Sequence, residues 1–211
     1  MRLAILLAVL FTASSVHAGD FCGETKDELA SLEASAKTRT KEHSGSWSMC
    51  LDGDRADKDR ILRACTKILD DSPEDIGCNM LVASVGATTA GKHDVFAYIA
   101  KQFQAKDYAR QAEPAWALTS FQDMGDPRAA AMIVERWKYL ILVMAKHEKN
   151  HSVMEEWSAW RQASASALGA TGGKDDATFL VEQAGLTKDT HVREACTAGA
   201  AQIQNRLNEG R

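Results

Sequence analysis

Five residues past the middle of the chain carry a pattern with a chemistry attached. His147-Glu148-Lys149-Asn150-His151 fits H-E-x-x-H. On a helix, histidines four positions apart face one way and can hold a zinc ion, while the glutamate acts as general base on the water bound to it. Glu182, further along, is a conceivable third ligand. Three features favour a solvated turn instead. Lys149 sets a cation beside the would-be metal. Asn150 and Ser152 are helix-capping types, so the pattern falls where one helix ends and the next begins. A small stack of helices also leaves no room for the second lobe such hydrolases use. A zinc-dependent hydrolase built on His147, Glu148 and His151 is therefore the alternative reading. The main expectation is a chain that is not an enzyme, with no cofactor and no metal.

Other chemistry is weaker. Asp52-Gly53-Asp54-Arg55-Ala56-Asp57, with Asp59, has the flavour of a calcium loop. Such a loop needs Gly at its sixth position and Glu at its twelfth, where Asp57 and Arg63 stand, so a capped loop before a helix is the better reading. His43, His93 and His191 are isolated, and no Gly-rich phosphate cradle is present.

The N-terminus sets the compartment. Arg2 is a positive start, Leu3 to Phe11 is an unbroken apolar run, and Val16-His17-Ala18 places small residues at the −3 and −1 positions of a cleavage site. That is a secretory signal over residues 1–18, with an apolar core too short to span a bilayer. The exported chain, periplasmic or secreted, is expected to begin near Gly19 with no membrane span. Loss of Arg2 leaves 24 basic against 29 acidic side chains, a mildly acidic balance that argues against nucleic acid as a partner.

Export makes the five cysteines matter: Cys22, Cys50, Cys65, Cys78 and Cys196 allow up to two bridges and one leftover thiol. Cys65 and Cys78 lie at equal distances either side of a turn near residues 71–72, on two helices expected to face each other. A Cys65–Cys78 disulfide is the expected pairing. The competing arrangement ties one of them to Cys50 and leaves Cys22 to find another partner. Cys196 sits among small residues and is expected to stay a buried thiol.

The elements that must position all this read as helices. Periodicity and capping types predict them at 24–43, 57–70, 73–86, 93–104, 107–122, 127–149, 152–168, 175–185 and 190–207. Pro73 and Pro127 fall in first turns, and Pro114 is expected to kink or restart its helix. The segments also repeat. Arg110, Arg161 and Arg193 are each followed by small residues at helical spacing, and Gly77 starts a similar small-residue face without the Arg. Gly91-Lys92-His93-Asp94, Gly125-Asp126-Pro127-Arg128 and Gly173-Lys174-Asp175-Asp176 repeat in step with them. Gly77 to Arg110 spans 33 positions and Arg161 to Arg193 spans 32, but Arg110 to Arg161 spans 51, so the middle unit carries an insertion of about 18 residues. Trp116, Trp137, Tyr139, Trp157 and Trp160 flank it. They are expected mainly in the core, with a partner-anchoring patch as a second reading.

Two helices per unit and a period of 30 to 40 residues mark an α-solenoid. Asp189-Thr190-His191-Val192-Arg193-Glu194-Ala195-Cys196-Thr197-Ala198-Gly199 resembles the second helix of HEAT repeats, and residues 160–169 resemble it in part. The resemblance covers about residues 57–207 and fades toward the N-terminus. It implies an all-α, right-handed α-solenoid of about four HEAT-like hairpins over residues 57–211, preceded by a helix and loop at 19–56. It also implies structural roles for Asp189, Arg110, Arg161 and Arg193, since in that family Asp and Arg form a ladder along the stack. The function expected on this basis is an exported, non-enzymatic binding or scaffold protein that meets an unknown protein partner along the repeat surface.

Overall fold

Five helices in this chain begin the same way. The side-chain oxygen of Asp57, Asp75, Asp94, Asn150 or Asp189 accepts a hydrogen bond from a backbone N–H two or three residues on, filling a donor that a helix start leaves open. The computed structural model describes residues 25–38, 57–104, 114–147 and 149–210. Helix dominates them: α1 Thr25–Thr38, α2 Lys58–Asp71, α3 Ile76–Ser84, α4 Val95–Phe103, α5 Pro114–Met124, α6 Arg128–Met144, α7 His151–Thr171, α8 Lys174–Leu186 and α9 Thr190–Glu209. The fold is all-α apart from a two-stranded ribbon, β1 Thr89–Ala90 and β2 His93–Asp94, antiparallel with Ala90 opposite His93. Gly91 turns that ribbon at φ +60, in the left-handed region where a side chain is strained. Among the described residues no helix is long and apolar enough to cross a membrane.

Several boundaries differ from the sequence expectation, each for a local reason. Pro73 is not in a first helical turn. It lies in the turn before Asp75, whose carboxylate caps α3 through the Cys78 N–H at 2.8 Å, and Asn79 Nδ2 donates to the Pro73 and Asp75 carbonyls. Pro127 stands at the cap position, just outside α6. His93 and Asp94 belong to the ribbon, and helix starts only at Val95 because Asp94 takes the cap. The helix expected through Lys149 stops at Met144, while the next one runs three residues beyond Leu168 to Thr171. α5 is described from Pro114 onward, and the kink or restart expected there lies at the edge of the described residues. Residues 1–24, 39–56 and 105–113 lie outside the described residues, and with them the signal segment, Asp52, Asp54, Cys22, Cys50 and Arg110.

The helices pair as α2 with α3, α4 with α5, α6 with α7 and α8 with α9. The second members also pack in a row, α3 on α5, α5 on α7 and α7 on α9, the last being the most extensive helix contact among the described residues. α1 lies on α2, joined by Arg60 Nη2 to Glu33 Oε2 at 2.6 Å, and the expected stripe Leu29, Leu32 and Ala36 is buried there. One apolar cluster runs from α1 to α9.

Contacts between successive hairpins join residues a few tens of positions apart. The Arg128 guanidinium lies 4.0 Å over the Phe96 ring, and Gly199 abuts Ala165. These partners stand 32 and 34 positions apart, while Gln104–Met132 and Arg161–Asp189 stand 28 apart and Arg206–Ala170 36. α7 and α9 are parallel. Asp189 at the start of α9 meets Ser158 and Arg161 in the middle of α7, and Arg206 near the end of α9 donates to the Ala170 and Gly172 carbonyls at the end of α7. Between these ties the backbones almost touch. A Cβ on Gly199 would lie 2.5 Å from the Ala165 carbonyl oxygen and 3.0 Å from Leu180 Cδ1.

That geometry sets an expected outcome. Gly199→Ala gains up to about 1 kcal/mol of helix propensity but forces α7 and α9 apart, for a net loss of about 1–2 kcal/mol. Gly169→Ala chiefly meets the movable end of Gln202 and should lose at least about 1 kcal/mol less than Gly199→Ala. Urea unfolding of both variants checks this, and equal losses would show the contact is looser than described.

Candidate functional site

The H-E-x-x-H residues do not share a helix. The Lys146 and His147 N–H groups close turns on the Val143 and Met144 carbonyls, and the Asn150 N–H bonds the His147 carbonyl at 2.8 Å. α7 then restarts with Asn150 as its cap. His147 is exposed after one helix, and His151 is 90% exposed at the start of the next, its Nε2 3.1 Å from Glu155 Oε1. Glu148 is outside the described residues. The helix face that the zinc pattern requires is interrupted between its two histidines. Glu182 is exposed on α8, and no three His, Cys, Asp or Glu side chains gather in metal-binding geometry among the described residues.

Of the four residues assigned a structural role, Asp189 and Arg161 meet, while Arg110 lies outside the described residues. Asp189 Oδ2 accepts from Ser158 Oγ at 2.5 Å and lies 3.6 Å from Arg161 Nη2, while Oδ1 accepts from the His191 and Val192 N–H groups. Burial alone would raise the Asp189 carboxyl, but the hydrogen bonds from Ser158 and Val192 and the Arg161 charge hold it below the usual carboxylate range. Arg161 is partly desolvated, which lowers its pKa against the opposing pull of Asp189. Its Nη1 donates to Thr187 Oγ1 at 3.3 Å, and its guanidinium lies 5.0 Å from the Trp157 ring. Arg193 points elsewhere, its Nη2 donating to the Thr187 carbonyl.

The insertion is filled by aromatics. Trp137 on α6 is fully buried and meets Trp157, Trp160 and Phe179 edge-on at 5.5–6.3 Å, and Trp157 stacks on Trp160 at 5.4 Å. Trp116 is half-buried against the core. Tyr139 is different: it is exposed, with the Arg136 guanidinium 5.5 Å from its ring.

Tyr139 also lines the feature best suited to binding. A groove of about 570 Å³ lies between α4 and α6, lined by Phe103, Gln104, Met132, Glu135, Arg136 and Tyr139. It combines apolar walls with one charge of each sign, and Gln104 Nε2 donates to Met132 Sδ at 3.3 Å across it. Sequence reading named Tyr139 but not the groove, which exists only because α4 and α6 sit side by side in space. A second cavity, about 440 Å³, lies between α8 and α9 beside Val181 and Leu207.

Cys65 and Cys78 are fully buried free thiols that meet where α2 packs on α3. Their mutual hydrogen bond, and then burial, raise the Cys78 pKa. Cys196 is a third buried thiol, which burial pushes up to about 11 against the pull of Arg161. Comparison with known proteins gave no match to a family model, to a curated protein or to a solved structure.

Since both imidazoles are exposed and lie on separate elements, His147→Ala with His151→Ala should change stability by no more than about 0.5 kcal/mol. Thermal melts of both chains, with zinc and with a chelator, check it. A zinc-dependent rise in Tm that the double variant loses would restore the metal reading.

Proposed function

We propose that this chain is an exported, non-enzymatic binding or scaffold protein, a right-handed α-solenoid of the HEAT-like kind that meets a protein partner along the outer layer of its stacked hairpins. The observation that supports the reading is the α4–α6 groove, with exposed Tyr139 on its rim. Aromatic side chains flanked by satisfiable polar groups are favoured anchors of protein contacts. The row of second helices, α3 on α5, α5 on α7 and α7 on α9, and the Asp189–Arg161 link support the repeat reading. A photo-cross-linking residue placed at Gln104 or Glu135 in the native host should give a discrete adduct, and one at Ala201 on α9 should not. Tyr139→Ala should weaken capture of that adduct's partner about tenfold or more while leaving the melt unchanged. Adducts from all three positions alike, or from none, would defeat the reading.

Export carries a second consequence, the Cys65–Cys78 disulfide. The two thiols are buried on helices that pack together, and oxidation by a disulfide-carrying oxidoreductase would join them. Both protons and two electrons pass to the carrier's disulfide, which is reduced to a dithiol. Closing so short a loop stabilises by roughly 3 kcal/mol in the chain-entropy model. Non-reducing peptide mapping of protein from the exporting host should yield a linked Cys65–Cys78 peptide. A Cys50–Cys65 or Cys50–Cys78 peptide would show the pairing to be wrong.

A further inference from the structure

Asn150-His151-Ser152 carries the acceptor signature for an N-linked sugar, Asn-x-Ser/Thr with a middle residue other than Pro. Of the four asparagines in the chain, Asn150 alone has a hydroxyl residue two positions on; Leu81, Leu207 and Gly210 follow Asn79, Asn205 and Asn208. The sequence also sets an acid, Glu148, two positions before Asn150, where glycan transferases of the bacterial periplasm read a carboxylate. A three-residue signature inside a buried helix would be a coincidence of spelling. This one lies at the tip of the α6–α7 hairpin, between the end of α6 at Met144 and the start of α7 at His151, and Asn150, His151 and Ser152 are all exposed. Asn150 is extended, at φ −96 and ψ 102. The N–H groups of His151 and Ser152 open a helix, where no intrahelical acceptor exists, so drawing this strand into an enzyme breaks no helix bond that they donate.

Helix capping is the competing explanation of Asn150, and it uses a different atom. Asn150 Oδ1 accepts from the Val153 N–H at 3.4 Å, a long bond. Its Nδ2, the nitrogen to which a sugar is joined, has no hydrogen-bond partner among the described residues. The Ser152 hydroxyl has none among them either. A glycan on Nδ2 therefore leaves the cap oxygen where it is, and one side chain serves both purposes.

We propose that Asn150 is an N-glycan acceptor, modified by an oligosaccharyltransferase as the chain is exported; the proposal rests on the export reading. Asn150 Nδ2 attacks the anomeric carbon of an oligosaccharide carried on a lipid pyrophosphate. The N–C bond forms as the bond from that carbon to the phosphate oxygen breaks. The electron pair leaves with the lipid pyrophosphate, and one amide proton passes to a base of the transferase. The Ser152 hydroxyl is the group by which the transferase holds the acceptor strand in register.

The test is intact-mass measurement and peptide mapping of the full chain collected from its exporting host, beside Asn150→Asp and Ser152→Ala. The native chain should carry the mass of an oligosaccharide on the peptide that holds Asn150, and both variants should lose it. Asp caps a helix as well as Asn does, and Ser152→Ala leaves the cap untouched. The two variants should therefore melt together, which separates loss of the acceptor from loss of the fold. An exported chain that begins near Gly19 and whose Asn150 peptide has its unmodified mass overturns the proposal while leaving the export reading intact. So does a glycan that persists in both variants, because the sugar would then be attached elsewhere. A chain that keeps residues 1–18 with an unmodified Asn150 defeats both readings.

Discussion

The close approach of α7 and α9 is the constraint from which the C-terminal half follows. Gly199 lies against the Ala165 carbonyl with no room for a methyl group, and Gly169 faces it one turn further along α7. Only at that separation can Asp189, capping α9, also reach Ser158 and Arg161 on α7. At the far end the same separation lets Arg206 bind the Ala170 and Gly172 carbonyls, which the end of α7 leaves without intrahelical donors. Asp189 places a carboxylate at the N-terminal end of α9, and Arg206 brings a guanidinium to the C-terminal end of α7, each with the sign that offsets the local helix dipole.

Where the stack widens, large side chains replace small ones. The insertion lengthens α6 and α7 together, and the added space is occupied by Trp137, Trp157, Trp160 and Phe179 in mostly edge-to-face contact. Arg161 sits at the boundary of the two regimes, its guanidinium beside Trp157 and within reach of Asp189. Its charge is supported by the very residue that caps the next unit. A partly desolvated cation without that carboxylate would cost stability, so the start of α9 is tied electrostatically to the tryptophan cluster as well as to α7.

Features governed by local chemistry were legible in the sequence. Asp57 and Asp189 announced helix starts, and each caps one through its side chain. Boundaries failed where two local signals competed. Pro73 suits a first turn, but Asp75 two residues later is the better cap and wins the helix start. Val95–Phe103 begins late because Gly91 supplies a left-handed turn that closes a ribbon before the cap at Asp94. The H-E-x-x-H pattern misleads for a related reason: a five-letter match contains no statement that one helix passes through it, and Asn150 ends that possibility. What spacing cannot supply is adjacency between units. The α4–α6 groove joins Phe103 to Tyr139, 36 positions apart, and it emerges only when the repeat is folded.

The two layers of helices are under different demands. Second helices such as α7 and α9 approach closely where their buried residues are small, among them Ser164, Ala165, Gly169, Cys196, Gly199 and Ala200. A position with no room cannot vary without moving its neighbour. First helices such as α4 and α6 meet through longer side chains and leave space between them, so the groove tolerates Met132, Glu135, Arg136 and Tyr139 within two turns of one helix. Freedom to change side chains without separating the helices is thus concentrated along the α4–α6 groove and on the exposed faces of the first helices. Selection for binding has somewhere to act in those two places, while the inner layer is committed to the geometry that holds them in position.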